Sequence, residues 1–111
     1  MAEALPGRIL RLHIKERDRW EHRPLYEAIV GKCREMGIAG ATVYRGLEGY
    51  GATAEIHRSG VLSHNLPIVV TVVDSAENIA RLLPEVERMM DQGMIAMNDV
   101  EMIRVQRSNH A

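Results

Sequence analysis

With 111 residues, 46% of them hydrophobic and 26% charged, the chain is long enough for one real core and too short for two. That composition excludes wholesale disorder, and a formal net charge of −1 excludes a strong global pull toward nucleic acid or an anionic membrane. Aromatics total 4% and Phe is absent, so a base-stacking surface for single-stranded nucleic acid is excluded and the core must be aliphatic.

Taken in chain order, residues 8–15 (RILRLHIK) alternate. Leu10, Leu12 and Ile14 fall on one face and Ile9, Arg11 and His13 on the other, the period-2 signal of a strand. A charged loop over 16–23 holds the single Trp20, which reads as a loop or interface anchor. Pro24 suits the first position of a helix, where its missing N–H would have had no partner. Leu25, Tyr26, Ile29, Val30, Cys33 and Met36 then recur at helical spacing, and Gly37 is a natural stop. Residues 39–47 read as a second strand that runs into the glycines of VYRGLEGYG (43–51). Residues 48–65 show no periodicity; so long a loop in a compact domain is expected to be flexible and functional.

Residues 66–73 (LPIVVTVV) are β-branched and almost continuously apolar, which predicts a central strand buried on both faces. Asp74 with Glu77 resembles a capping box, with Asp74 in the cap position. Ile79, Leu82, Leu83, Val86, Met89 and Met90 form a helical stripe, which Pro84 should kink or restart and Gly93 should end. Residues 100–107 (VEMIRVQR) alternate as a last strand, and 108–111 read as a frayed tail. The fold class is therefore α+β, a ferredoxin-like βαββαβ unit with a four-stranded antiparallel sheet and two helices on one face. One domain spans 1–111, with its core over about 8–107. The face without helices carries Ile9, Val100 and Met102, and self-association is the economical way to cover it.

No secretory signal is visible, and the longest strongly apolar run, residues 66–73, is far shorter than the ~20 residues of a membrane helix. The single Cys33 fits a reducing compartment, so the expected location is cytoplasmic.

The patterns GATVYRGLEGYG (40–51), IH (56–57) and LPIVVTVVDSAENIARLLPEVERMM (66–90) resemble a family of PII-like proteins, the domain of unknown function 190 family. The resemblance spans roughly residues 8–107. It implies a ferredoxin-like protomer, a compact homotrimer, effector sites in clefts between subunits, and a mobile loop where residues 48–65 lie. Members are often encoded beside, or fused to, fluoride exporters, so the resemblance also implies a membrane transporter as partner. PII proteins carry a phosphate loop with glycine and lysine after their second helix. Here QGMIAMN (92–98) has no lysine, so the resemblance points to a nucleotide effector without the motif that would name it.

Among single residues, Gly46, Gly49 and Gly51 suit either a hinge or a backbone that comes close to an anion, with Tyr50 standing between the last two. Arg45 and Arg104 offer forked donors for phosphate or carboxylate, with surface ion pairing as the ordinary alternative. Lys15 and Arg17 are weaker candidates of the same kind. His57 and His64 bracket Arg58 in the long loop. One histidine pair does not complete a metal site, so His57 and Arg58 are assigned to contact with an effector or partner.

For catalysis, Cys33 lies on an apolar stripe, and Ser59 and Ser63 lack a frame that would order them against a base. The expected function is therefore not enzymatic: a regulator that binds a small anionic effector, with a nucleotide as one candidate, and acts through the 48–65 loop. No resident metal or other cofactor is assigned. The alternatives are a metal-binding or metal-tolerance protein and a small α+β-barrel enzyme.

Overall fold

The computed structural model describes residues 3–50, 56–58 and 65–107. The first strand, β1 (Leu5–Lys15), starts earlier than its alternation suggests, because Leu5 pairs with Met102 and Gly7 with Val100 of the last strand. Short strands β2 (Arg19–Trp20) and β3 (Arg23–Pro24) follow, joined by Glu21 and His22 at φ 46° and 69°. Two consecutive positive φ values give the turn twist that a tight hairpin requires, and Trp20 packs against the core. Helix α1 (Leu25–Glu35) begins one residue after Pro24, and Gly37 at φ 73° ends the turn that follows it.

The remaining elements are β4 (Ala41–Arg45), β5 (Glu48–Gly49), β6 (His57–Arg58), β7 (Pro67–Asp74), α2 (Ala76–Met89) and β8 (Met94–Met102). The main sheet has the order β4-β7-β1-β8, and every neighbouring pair is antiparallel. Leu10, Leu12 and Ile14 lie opposite Val72, Val70 and Ile68. These six join Leu25, Ala28, Ile29 and Cys33 of α1 with Ile79, Leu82, Val86 and Met89 of α2 in one buried core. Both helices therefore lie on one face of the sheet, and the α+β ferredoxin-like arrangement is the fold observed.

Four further details differ from the sequence expectations. Strand β7 is central, but in the protomer only Ile68, Val70, Val72 and Asp74 are buried, since the helices cover one face and Val73 on the other is exposed. The cap of α2 is Ser75, whose hydroxyl accepts from the Asn78 N–H at 3.1 Å; Asp74 stands one residue before it. Pro84 does not divide α2, which runs on to Met89. Both Pro84 and Ala80, the residue whose carbonyl loses its donor, are exposed, so the gap in the helix ladder falls on the outer side of α2. Finally, the last strand is Met94–Met102 rather than 100–107, because β1 supplies partners only from Leu5 to His13 and residues 103–107 run past the sheet.

The face opposite the helices is ordered in cross-strand rows. Met94, His13, Val69 and Tyr44 form one, Ala96, Arg11, Thr71 and Thr42 the next, and Asn98, Ile9 and Val73 a third. Val100 and Met102 share this face with Ile9, as the alternation predicts.

Candidate cleft at the foot of the long loop

Antiparallel order brings the end of β1 and the starts of β7 and β8 to the same end of the sheet. The segment between β4 and β7 also has its roots there. The Gly46 N–H donates to the Pro67 carbonyl at 2.7 Å. A Cβ built on Gly49 would lie 2.9 Å from Pro67 Cγ, and one on Gly46 3.3 Å from Pro67 Cβ. The glycine stretch thus approaches the first residue of β7, and at Gly49 any side chain would push the chain away from it. Pairing of Glu48 with Arg58 and of Gly49 with His57 closes the foot of the loop as a short hairpin, an element the lack of periodicity did not reveal.

A cleft of about 510 Å³ opens beside this hairpin. Its apolar lining comes from Ile14, Pro67, Ile68, Val69 and Met94, and its polar lining from His13, Lys15, Asp18 and Gln92. Gly49 and Tyr50 border it from the loop side, and Gly93 from the turn before β8. Gly93 has φ 128°, and a Cβ there would sit 2.5 Å from the His13 carbonyl oxygen, so glycine is required for this turn to close on β1.

The turn over residues 15–18 is tied to both roots of the loop. The Glu16 N–H donates to the Leu66 carbonyl at 2.8 Å. The Glu16 carboxylate accepts from the Leu66 N–H at 3.3 Å and lies 3.3 Å from the Arg45 guanidinium. The Arg17 N–H donates to Asn65 Oδ1 at 3.0 Å, and the Lys15 N–H to Asp18 Oδ2 at 2.9 Å.

Of the candidate residues, Gly49, Tyr50 and Lys15 line the cleft, and Gly46 anchors the chain next to it. Arg45 is engaged by Glu16 and is absent from the lining. Arg104 lies beyond β8 at the opposite end of the sheet, where its charge acts on Asp74. His57 and Arg58 are in β6, facing Gly49 and Glu48 across the hairpin. Gly51, Ser59, Ser63 and His64 lie outside the described residues. Cys33 is buried, and burial pushes its thiol up to about 11, which fits a core residue better than a nucleophile. Among the described residues, no group of three or more His, Cys, Asp or Glu is placed to hold a metal, and no helix is long and apolar enough to cross a membrane. His13, Asp18, Gln92 and Met94 had no local sequence signal as site residues. Only strand order could have gathered them.

The model of the family DUF190, described as "Uncharacterized ACR", matches residues 7–102. The chain belongs to the DUF190 family. This DUF190 protein is 38% identical over 98 residues to a UPF0166 protein of Aquifex aeolicus, covering 86% of this chain and 92% of that one. It is 38% identical over 100 residues to a UPF0166 protein of Methanocaldococcus jannaschii, covering 86% and 90%. Among solved structures it is similar to CPII of Thiomonas intermedia K12, a nitrogen regulatory PII-like protein bound to ADP, AMP and bicarbonate. There the TM-score is 0.68 at 16% identity, over 94% of each chain. It is also similar to the divalent ion tolerance protein CutA1 of Ehrlichia chaffeensis, with a TM-score of 0.56 at 13% identity over 90% of this chain and 84% of that one. At such identities the likeness is one of fold.

Proposed function

We propose that this DUF190 protein is a PII-like regulator and not an enzyme. A small anionic effector of the adenine-nucleotide class binds in the cleft and changes what residues 48–65 present to a partner. One observation carries this reading: the cleft's wall is built jointly from the end of the sheet and the foot of that segment, Gly49 and Tyr50. Anything bound there touches the loop's root directly, so occupancy and loop conformation are energetically linked. The size, and an apolar lining with a few polar groups, match the ~300–1,000 Å³ sites that hold small organic ligands. Lys15 supplies a cation for an anionic group, and CPII, bound to ADP, AMP and bicarbonate, offers a precedent on the same fold.

In this reading the functional unit is a homotrimer in which neighbouring copies complete the open side of the cleft. A membrane transporter such as a fluoride exporter is the partner implied by family resemblance. A thermal-shift screen of ADP, AMP, ATP, cyclic AMP, bicarbonate, fluoride and divalent metals tests the effector class. A true effector at ~100 times its dissociation constant adds about 2.7 kcal/mol of stability. Stabilisation by an adenine nucleotide is the expected result. A response confined to divalent metals would favour the metal-tolerance alternative instead.

A further inference from the structure

We propose that Tyr50 stacks on a planar ring of the ligand, so that the cleft selects a nucleobase-type heterocycle rather than any small anion. This inference rests on the reading of the cleft as the effector site and specifies how that site recognises its ligand. Tyr50 borders the cleft yet is 76% exposed, so most of its surface is left open to a ligand. What places it there is its neighbour. Gly49 lies so close to Pro67 that a Cβ would come within 2.9 Å of Cγ, which seats the hairpin against β7 and brings the next residue to the cleft's edge.

Beyond the one cation that Lys15 offers, charge adds little to this cleft. Among the described lining residues, Lys15 and Asp18 carry opposite charges, and the nearby Arg45 is occupied by Glu16. Apart from His13 and Gln92, the rest of the wall between the glycines is apolar, with Pro67, Val69 and Met94. A cleft with little net charge and an apolar wall gains most from a flat, weakly hydrated group, and an aromatic ring at its mouth gives that group a second face. A nucleobase has this shape, with edge atoms that His13 and Gln92 can meet by hydrogen bonds.

Calorimetry on the full chain with adenosine, ADP and inorganic pyrophosphate tests the proposal. Wild type is expected to bind adenosine and ADP, and Tyr50→Phe to stay within about twofold of it. Tyr50→Ala should weaken both by roughly tenfold or more, and leave the response to pyrophosphate as in wild type. Gly49→Ala, which lifts the hairpin from Pro67, should weaken adenosine in the same sense. Undiminished adenosine binding by Tyr50→Ala overturns the ring-stacking role and leaves the cleft as an effector site. An equal loss for pyrophosphate overturns it too, since the change would then not be specific to the ring. If neither adenosine nor ADP binds wild type, the effector reading itself fails and takes this inference with it.

Discussion

Asp74 is a buried carboxylate at the end of β7 that ties the start of α2 to the turn before β4. Its Oδ2 accepts from the Ala39 N–H at 2.9 Å and from the Asn78 side-chain amide at 3.2 Å, and its Oδ1 accepts from the Ser75 N–H at 2.7 Å. Burial alone would push its pKa up. The hydrogen bonds from Ala39, Ser75 and Asn78, helped by the charge of Arg104, outweigh burial and hold the carboxyl below its ordinary value. A carboxylate whose folded pKa is depressed contributes stability that is fully present above its unfolded value. That contribution is lost as the pH falls through the folded value. Asp74→Asn keeps the shape but turns an acceptor-only group into one that also donates toward backbone N–H groups. Its expected cost at pH 7 is about 1.5–3 kcal/mol, the worth of hydrogen bonds to a charged group. Urea unfolding of both proteins should show that gap above pH ~4 and its narrowing in more acidic solution. Equal stability at pH 7 would show that Asp74 is replaceable by any polar side chain.

Between elements, the turn over 15–18 connects β1, β4 and β7 through the Glu16 carboxylate. The Arg45–Glu16 pair is partly exposed, with side-chain exposures of 62% and 25%, so it is worth little to global stability. Its role is local. Glu16→Ala should therefore cost on the order of 1 kcal/mol overall, yet speed hydrogen exchange at the Leu66 amide, which loses its acceptor. Unchanged exchange at Leu66 would mean that the Glu16 N–H to Leu66 carbonyl bond alone holds the root. This clasp shows what sequence could and could not convey. Periodicity revealed β1, α1, β7 and α2, because each buries a regular stripe in the same core. The last strand was misplaced because Met94, Ile95, Ala96 and Met97 form an apolar run without clean alternation, while residues 100–107 alternate yet pair only up to Met102. Gly49 and Tyr50, which border the cleft, were singled out by local glycine content. Glu16, Asp18 and Gln92 were not, since the parts of the chain that they are brought against at this end of the sheet are set by strand order alone. Arg45 was open to two readings, effector contact or surface ion pair, because nothing local announces that Glu16 will meet it.

Across the molecule, the sheet face without helices carries no covering element among the described residues. Leu5, Tyr44, Val73 and Met94 on it are exposed in the protomer. Its rows set apolar residues around Arg11, Thr71 and Thr42, which suits a face that is buried in an assembly yet tolerates water before assembly. A homotrimer with these faces turned inward would cover it, and light scattering at micromolar concentration should give three times the protomer mass of 12.5 kDa. Met102 is a poor position at which to break such an assembly. A Cβ on Gly7 would come within 2.5 Å of the Met102 sulfur, so this side chain already fills the notch over Gly7 within its own protomer, and replacing it would disturb the β1–β8 edge. Val73 is the better probe. It sits on the interior strand β7, points away from the core, and is 37% exposed, so a charge there is tolerated by a folded protomer. Between assembled faces the same charge would be stripped of water without a partner, a cost of several kcal/mol per copy. Val73→Glu is therefore expected to scatter light as a monomer while keeping the circular dichroism of the folded chain. A wild-type monomer, or a Val73→Glu protein that still assembles as a trimer, would show that this face is not where the copies meet.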